Sequence, residues 1–271
     1  MIWTKAVARV VGSAIMLLSL GTSTAQAQRE KSTERIGSRS YELFQPSGLA
    51  DAPLVVVLHG GFGSGRQAQR AYGWDAKARA GGFVVAFPNG VGNSWNAGNC
   101  CGRASQQGVD DVAFLRAVVD DATRKAPVDH RRVFVAGMSN GAMMALRMAC
   151  QTSVFRGAAS VAGTLVTSCD QPASVLQIHG TADRNVPYDG GRGSGFARVD
   201  GEAIPAIDAR FRRLDACPAP AVSRSGKVTT SRADCPSGRK VELITVERMG
   251  HQWPSSPINA TDAIWRYFSA L

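Results

Sequence analysis

Leu54-Val-Val-Val-Leu58 restricts the fold more than any other segment. Five apolar residues bounded by Pro53 and by His59-Gly60-Gly61 are too few for an ordinary helix, and too uniformly apolar for a strand with one wet face. Such a run belongs in a parallel sheet covered on both sides. The same texture returns at Phe83–Phe87, Arg132–Ala136, Arg156–Ala162, Val175–His179 and Val241–Val246. Helical spacing occupies the intervals, at Ser64–Ala80, Asp110–Lys125, Asn140–Cys150, Ile204–Ala216 and Ala260–Ala270. In the second of these, Ala113, Phe114, Ala117, Val118 and Ala122 share one face and Arg116, Asp120 and Lys125 the other.

Alternating strands and helices with short connections predict a single α/β domain, a mostly parallel central sheet with helices on both faces. Ser40–Gln45 reads as a first edge strand after an irregular 28–39 segment. Ligands in such sheets bind beyond the carboxyl ends of the strands, so functional residues should follow strands directly. The long Gly-, Asn- and Trp-rich insert Asn89–Gly108 is of the kind that carries function.

The first 27 residues stand apart. Lys5 and Arg9 precede the apolar run Val10–Leu20, and Ala25-Gln26-Ala27 offers a small-residue cleavage site, which together predict a cleaved export signal. The apolar run is shorter than the roughly 20 residues that span a bilayer, so no membrane attachment is expected after cleavage. Residues 28–271 would remain as a secreted or periplasmic domain. Export also suits the six cysteines, because disulfides persist in oxidising compartments. Cys217 and Cys235 enclose a polar, Pro-bounded stretch and are the first expected pair. Cys100 and Cys101 are adjacent, and Cα atoms about 3.8 Å apart across a trans peptide fall short of ordinary disulfide spacing. Pairing among Cys100, Cys101, Cys150 and Cys169 stays open. No CxxC or His spacing accompanies them, so no metal is expected.

Chemistry concentrates in Gly137-Met138-Ser139-Asn140-Gly141, between the strand ending at Ala136 and a helix of small and apolar residues. That context makes GxSxG a nucleophile elbow, which leaves Ser139 exposed above the sheet. A serine hydroxyl needs a base, and the base a carboxylate. Of four histidines, His251 follows a strand in Met249-Gly-His-Gln-Trp-Pro254. His130 precedes one and falls at the wrong edge, and His179 is read partly as packing. Asp183 follows the strand ending at His179, ahead of the runner-up Asp189, while helix capping suffices for Asp110 and Asp111. The chain order Ser139, Asp183, His251 is that of an α/β-hydrolase triad. Oxyanion donors are expected from the amides of Asn140 and Gly61. The loop from His59 to Gly65 has neither a third dinucleotide-binding glycine nor a P-loop ending.

Together, Leu58-His-Gly-Gly61, Ser94-Trp-Asn-Ala-Gly-Asn-Cys-Cys-Gly102, Val109-Asp-Asp-Val-Ala-Phe-Leu115, Gly137-Met-Ser-Asn-Gly-Ala142, His179-Gly-Thr-Ala-Asp183 and Gly250-His-Gln-Trp-Pro254 resemble the polyhydroxybutyrate depolymerase-like esterases, a group that includes secreted feruloyl and acetylxylan esterases. The resemblance implies a serine ester hydrolase with Ser139, Asp183 and His251 as its triad and no cofactor. It leaves open whether the substrate is a hydroxybutyrate oligomer or a feruloyl or acetyl ester of plant polysaccharide. Many polymer-degrading members append a substrate-binding domain, whereas the sequence runs out at Leu271 after its last expected helix; efficient attack on solid polyester is therefore not expected. Trp95, Asn96 and Trp253 are expected to line the substrate pocket.

Two other classes compete. A peptidase on the same triad would need substrate-anchoring motifs that are missing from the sequence. A basic binding protein is suggested by the net charge of +10, which falls by two to +8 when Lys5 and Arg9 leave with the signal. The cations are scattered rather than gathered into a stripe with stacking aromatics, so no nucleic-acid partner is expected. Steering toward acidic polysaccharide suits the excess better. Oligomeric state is not readable.

Overall fold

The Leu54–Leu58 run does what its composition requires. In the computed structural model, which describes residues 1–2, 30–194 and 198–271, it lies in strand β3 (Ala52–Leu58), every residue of which is buried. Leu54, Val56 and Leu58 join the core on one face of the sheet, Val55 and Val57 the core on the other. The expected signal segment, apart from Met1 and Ile2, lies outside the described residues.

Among the described residues, ten strands form one sheet. They are β1 (Lys31–Ile36), β2 (Arg39–Phe44), β3, β4 (Val84–Pro88), β5 (Val128–Met138), β6 (Gly157–Val161), β7 (Val175–Gly180), β10 (Ala221–Ser225), β11 (Val228–Asp234) and β12 (Lys240–Val246), in the order β1-β2-β4-β3-β5-β6-β7-β12-β11-β10. From β4 to β12 every neighbouring pair is parallel. Both margins are antiparallel. A separate two-stranded ribbon joins β8 (Gly191–Arg192) and β9 (Asp200–Gly201).

Helices α1 (Gly65–Ala71), α2 (Trp74–Gly81) and α7 (Ala260–Ser269) cover one face. The other carries α4 (Asp111–Lys125), α5 (Asn140–Gln151) and α6 (Ile204–Leu214). A short helix, α3 (Gly102–Gln106), lies in the long insert. Among the described residues no helix is long and apolar enough to cross a membrane.

Three differences from the sequence reading have physical causes. The segment expected to be irregular contains β1, a polar edge strand that turns at Gly37 and pairs with β2; charged residues on an exposed edge discourage further pairing, which hides the strand from an apolar-run criterion. The β10–β11 hairpin was hidden in the same way, since β10 is exposed throughout. The single helix expected over Ser64–Ala80 is two helices, because Gly73 takes a left-handed conformation at φ 75° and turns Trp74 into the core. Cys100 and Cys101, whose pairing the sequence leaves open, are bonded to each other across a cis peptide with Cα atoms 3.1 Å apart.

The remaining cysteines pair as Cys150–Cys169 and Cys217–Cys235. The latter ties the turn after α6 to the end of β11. It closes a loop with a sequence separation of 18, for which chain entropy predicts stabilisation of about 3 kcal/mol. Replacing both Cys217 and Cys235 by Ser should lower the urea-unfolding free energy by about that amount. An unchanged midpoint would contradict a stabilising role for the bridge.

Candidate active site

Three loops meet at the carboxyl edge of the sheet, after β5, β7 and β12. The first is the sharp bend between β5 and α5, where Ser139 has φ 52° and ψ −119°. L-residues occupy that region only when the surroundings enforce it. Here its N–H bonds to the Val161 carbonyl at 2.9 Å and its carbonyl accepts from Met143 N at 3.0 Å. The flanking glycines permit the bend: a Cβ on Gly137 would strike the Gly141 backbone, and one on Gly141 the Leu58 and His59 carbonyls.

His251 arrives from the loop after β12 and Asp183 from the loop after β7. The His251 Nε2 lies 2.9 Å from Ser139 Oγ and its Nδ1 2.8 Å from Asp183 Oδ2. With Nδ1–H donated to the carboxylate, Nε2 is left to accept the serine proton. Asp183 Oδ1 accepts from the Asn185 and Val186 amides, both at 2.9 Å. Burial pushes this carboxyl up, but the hydrogen bonds from His251 and Val186 outweigh burial and hold it below the usual range. Asp183 is thus a buried carboxylate kept ionised. Among the described residues His251 is hydrogen-bonded to Asp183 and Ser139, and no hydrogen bond or ion pair joins it to the alternative Asp189.

Gly61 and Asn140 both line the cleft over Ser139. Asn140 is the first residue of α5, where amide hydrogens have no acceptor within the helix. The cleft is about 600 Å³, with Phe62, Met143, Val186 and Val199 among its walls and Cys101, Arg103 and Gln106 along its insert side. A second depression of about 410 Å³ opens on the other side of Ser139 and His251, walled by Tyr72, Met138 and Trp253. Trp253 stacks on Tyr72 with ring centroids 4.3 Å apart.

Two expected pocket residues are elsewhere. Trp95 is fully buried, its indole N–H bonded to the His59 carbonyl at 2.9 Å. Asn96 turns its side-chain amide to the Val109 carbonyl at 3.0 Å. Both hold the insert against the domain, a task for which an aromatic and an amide are as well suited as for a pocket wall. Asp111, read as a helix cap, does more. It is buried, meets Arg39 at 2.7 Å and accepts the Asn96 amide at 2.7 Å. Burial pushes its carboxyl up, opposed by the Asn96 amide and the Arg39 charge. Asp110 is the cap, accepting from Ala113 N at 2.9 Å.

His179 has a supporting place that its sequence position did not reveal. Its Nε2 donates to the Val186 carbonyl at 2.9 Å and lies 3.5 Å from Asp183 Oδ2, and burial pulls its pKa down. The cleft residues Met143, Val186 and Val199 carried no sequence signal, since apolar residues in a helix or loop read as core. Asp215, Cys217 and Cys235 bring potential donor atoms within 4.8 Å of one another. Both sulfurs are consumed by the disulfide and the carboxylate by Ser237 and Arg239, so this is no metal ligand set.

A parallel sheet with its serine on a strand-to-helix bend and an acid and a histidine on later loops defines the α/β-hydrolase fold. Acetyl xylan esterase from Aspergillus awamori shares that fold with a TM-score of 0.66 at 17% identity, over 89% of this chain and all of the other. Residues 39–209 match the family described as esterase PHB depolymerase, and the chain belongs to that family. It is a carboxylic ester hydrolase. A putative esterase NocK of Nocardia uniformis is 37% identical over 80% of this chain and 71% of its own length. Feruloyl esterase B of Piromyces equi is 31% identical over 76% of this chain and 41% of its own length, and feruloyl esterase C of Emericella nidulans 29% over 87% and 86%.

His59 offers a pH test of the scaffold. Its Nδ1–H donates to the Gly60 carbonyl at 2.8 Å and its Nε2 accepts the Gly90 amide at 3.0 Å, and burial lowers its pKa from 6.5 to about 4. The unfolded chain therefore binds this proton below pH 6.5 while the folded chain refuses it until about 4. Stability from this group is complete above pH 6.5 and is lost as pH falls toward 4, by roughly 3 kcal/mol at most. Urea titrations at pH 7 and 4.5 should show wild type losing more stability than His59→Gln; equal losses would contradict the assignment.

Proposed function

We propose that the protein is an exported serine esterase in which Ser139 is the nucleophile, His251 the general base and Asp183 the residue that orients and stabilises the imidazolium. The observation that carries this reading is the unbroken hydrogen-bonded chain Ser139–His251–Asp183 beneath an open cleft. Ser139 Oγ attacks the ester carbonyl as its proton passes to His251 Nε2. The resulting oxyanion is met by the amides of Asn140 and Gly61. Collapse expels the alcohol, which takes the proton from His251, and water repeats the sequence to release the acid.

Export is supported by Lys5, Arg9, the apolar run and Ala25-Gln26-Ala27, and by the engagement of all six cysteines in three disulfides. The substrate reading is an aromatic, feruloyl-type acyl group in the larger cleft. Its volume lies within the range of small-molecule sites, and Met143 and Val186 offer the apolar and thioether contact that suits an aromatic ring. The second depression beyond Ser139 favours a further reading, a hydroxybutyrate oligomer laid across both hollows.

A panel of methyl ferulate, acetylated xylan, short p-nitrophenyl esters and soluble hydroxybutyrate oligomers separates these. Methyl ferulate should give the highest kcat/KM, and a preference for the oligomer would favour the second reading. Ser139→Ala should reduce kcat on every substrate by roughly 10⁴-fold or more. Turnover of p-nitrophenyl butyrate left intact in that variant would remove Ser139 from the mechanism.

A further inference from the structure

The cleft over Ser139 is electrostatically one-sided. Among the described residues, neither it nor the adjoining depression has an aspartate or glutamate in its walls, and Arg103 is the one formally charged side chain that lines the larger. Arg103 stands in α3, which the insert places at the rim. Its aliphatic stem lies across Gly92, so closely that a Cβ there would meet Arg103 Cβ at 2.7 Å and Cδ at 2.8 Å. Gly92 itself takes a left-handed conformation at φ 58°. Packing thus restrains the stem while the head stays exposed.

The guanidinium is in no ion pair among the described residues. Several other arginines are spoken for, as Arg39 is by Asp111, Arg79 by Glu30 and Arg212 by Asp208. An unpaired planar cation beside an acid-free site is suited to a carboxylate, which it can grip with two parallel hydrogen bonds.

We propose that Arg103 is a specificity-determining residue that selects esters bearing a carboxylate close to the scissile bond, on either the acid or the alcohol half. This rests on the esterase reading above and adds to it that, between two esters of the same acyl and alcohol class, the one bearing the carboxylate is preferred. A uronate-bearing alcohol and the terminal unit of a hydroxy-acid oligomer present the same group.

Matched ester pairs test it. Monomethyl and dimethyl succinate differ by a carboxylate on the acyl side; 3-acetoxybutanoate and its methyl ester differ by one on the alcohol side. The readout is the ratio of kcat/KM, anionic to neutral, within each pair. In Arg103→Gln this ratio should fall about tenfold in at least one pair relative to wild type, and the affected pair identifies the half of the ester that Arg103 reads. Arg103→Lys should retain most of the preference and Arg103→Glu should reverse it. Raising the salt concentration should shrink the wild-type preference while leaving that of Arg103→Gln unmoved. Ratios unchanged across all three variants in both pairs would overturn the proposal. If wild type hydrolysed none of the four esters nor any member of the substrate panel, the esterase reading itself would fall, a distinguishable result.

Discussion

The side chain of Asn140 is the joint on which the site depends. Its Oδ1 accepts the Trp95 amide at 2.7 Å and its Nδ2 donates to the Trp95 carbonyl at 2.9 Å. The residue beside the catalytic-serine candidate thereby treats the insert as a neighbouring strand would, pairing both main-chain groups. Trp95 passes the connection on through its indole to the carbonyl of His59, in the loop that presents Gly61. Two candidate oxyanion donors, at the end of β3 and the start of α5, are thus fixed relative to one another through a third segment. Positioning to fractions of an ångström is what electrostatic stabilisation of an oxyanion requires.

The insert needs its own anchor, and that anchor is ionic. Arg39 lies with its guanidinium 3.4 Å from the Phe114 ring centroid and meets the buried Asp111, whose other oxygen holds Asn96. Arg147 grips the Asn96 carbonyl from α5. A buried pair recovers its desolvation cost only when its remaining hydrogen-bonding capacity is used, and its attested value is in specifying one arrangement rather than in stability. Here the arrangement specified is the seat of residues 95 and 96. The distinctive Trp-Asn pair therefore serves the site from behind, without lining it.

The parts of the structure legible in the sequence share one cause. Buried strands are legible because both faces are apolar, and each residue set after such a strand, Ser139, Asp183 and His251, lies at the carboxyl edge that the parallel order dictates. The edges β1 and β10 were illegible for the converse reason: an exposed edge strand is polar, and its composition matches that of a loop. Trp95 and Asn96 were misplaced because the same chemistry, a large ring and an amide in a Gly-rich insert, serves packing and binding alike. Only the register of the insert against α5 distinguishes the two uses. Arg103 left no trace in the sequence because the significance proposed for it lies in a cleft whose described walls contain no acid, a property of space rather than of order along the chain.

Asp183 illustrates how the two cores and the site are coupled. A carboxylate with almost no exposed surface would ordinarily take up a proton to escape desolvation. It remains charged because the turn after β7 aims the Asn185 and Val186 amides at one oxygen while His251 occupies the other. That turn is secured in its turn by His179, which stays neutral in the buried layer and donates to the Val186 carbonyl. A protonated His179 would compete with His251 for Asp183, 3.5 Å away. Burying His179 under the sheet edge keeps its charge out of that contest, so the negative charge of Asp183 is directed at His251, where the proposed mechanism forms an imidazolium.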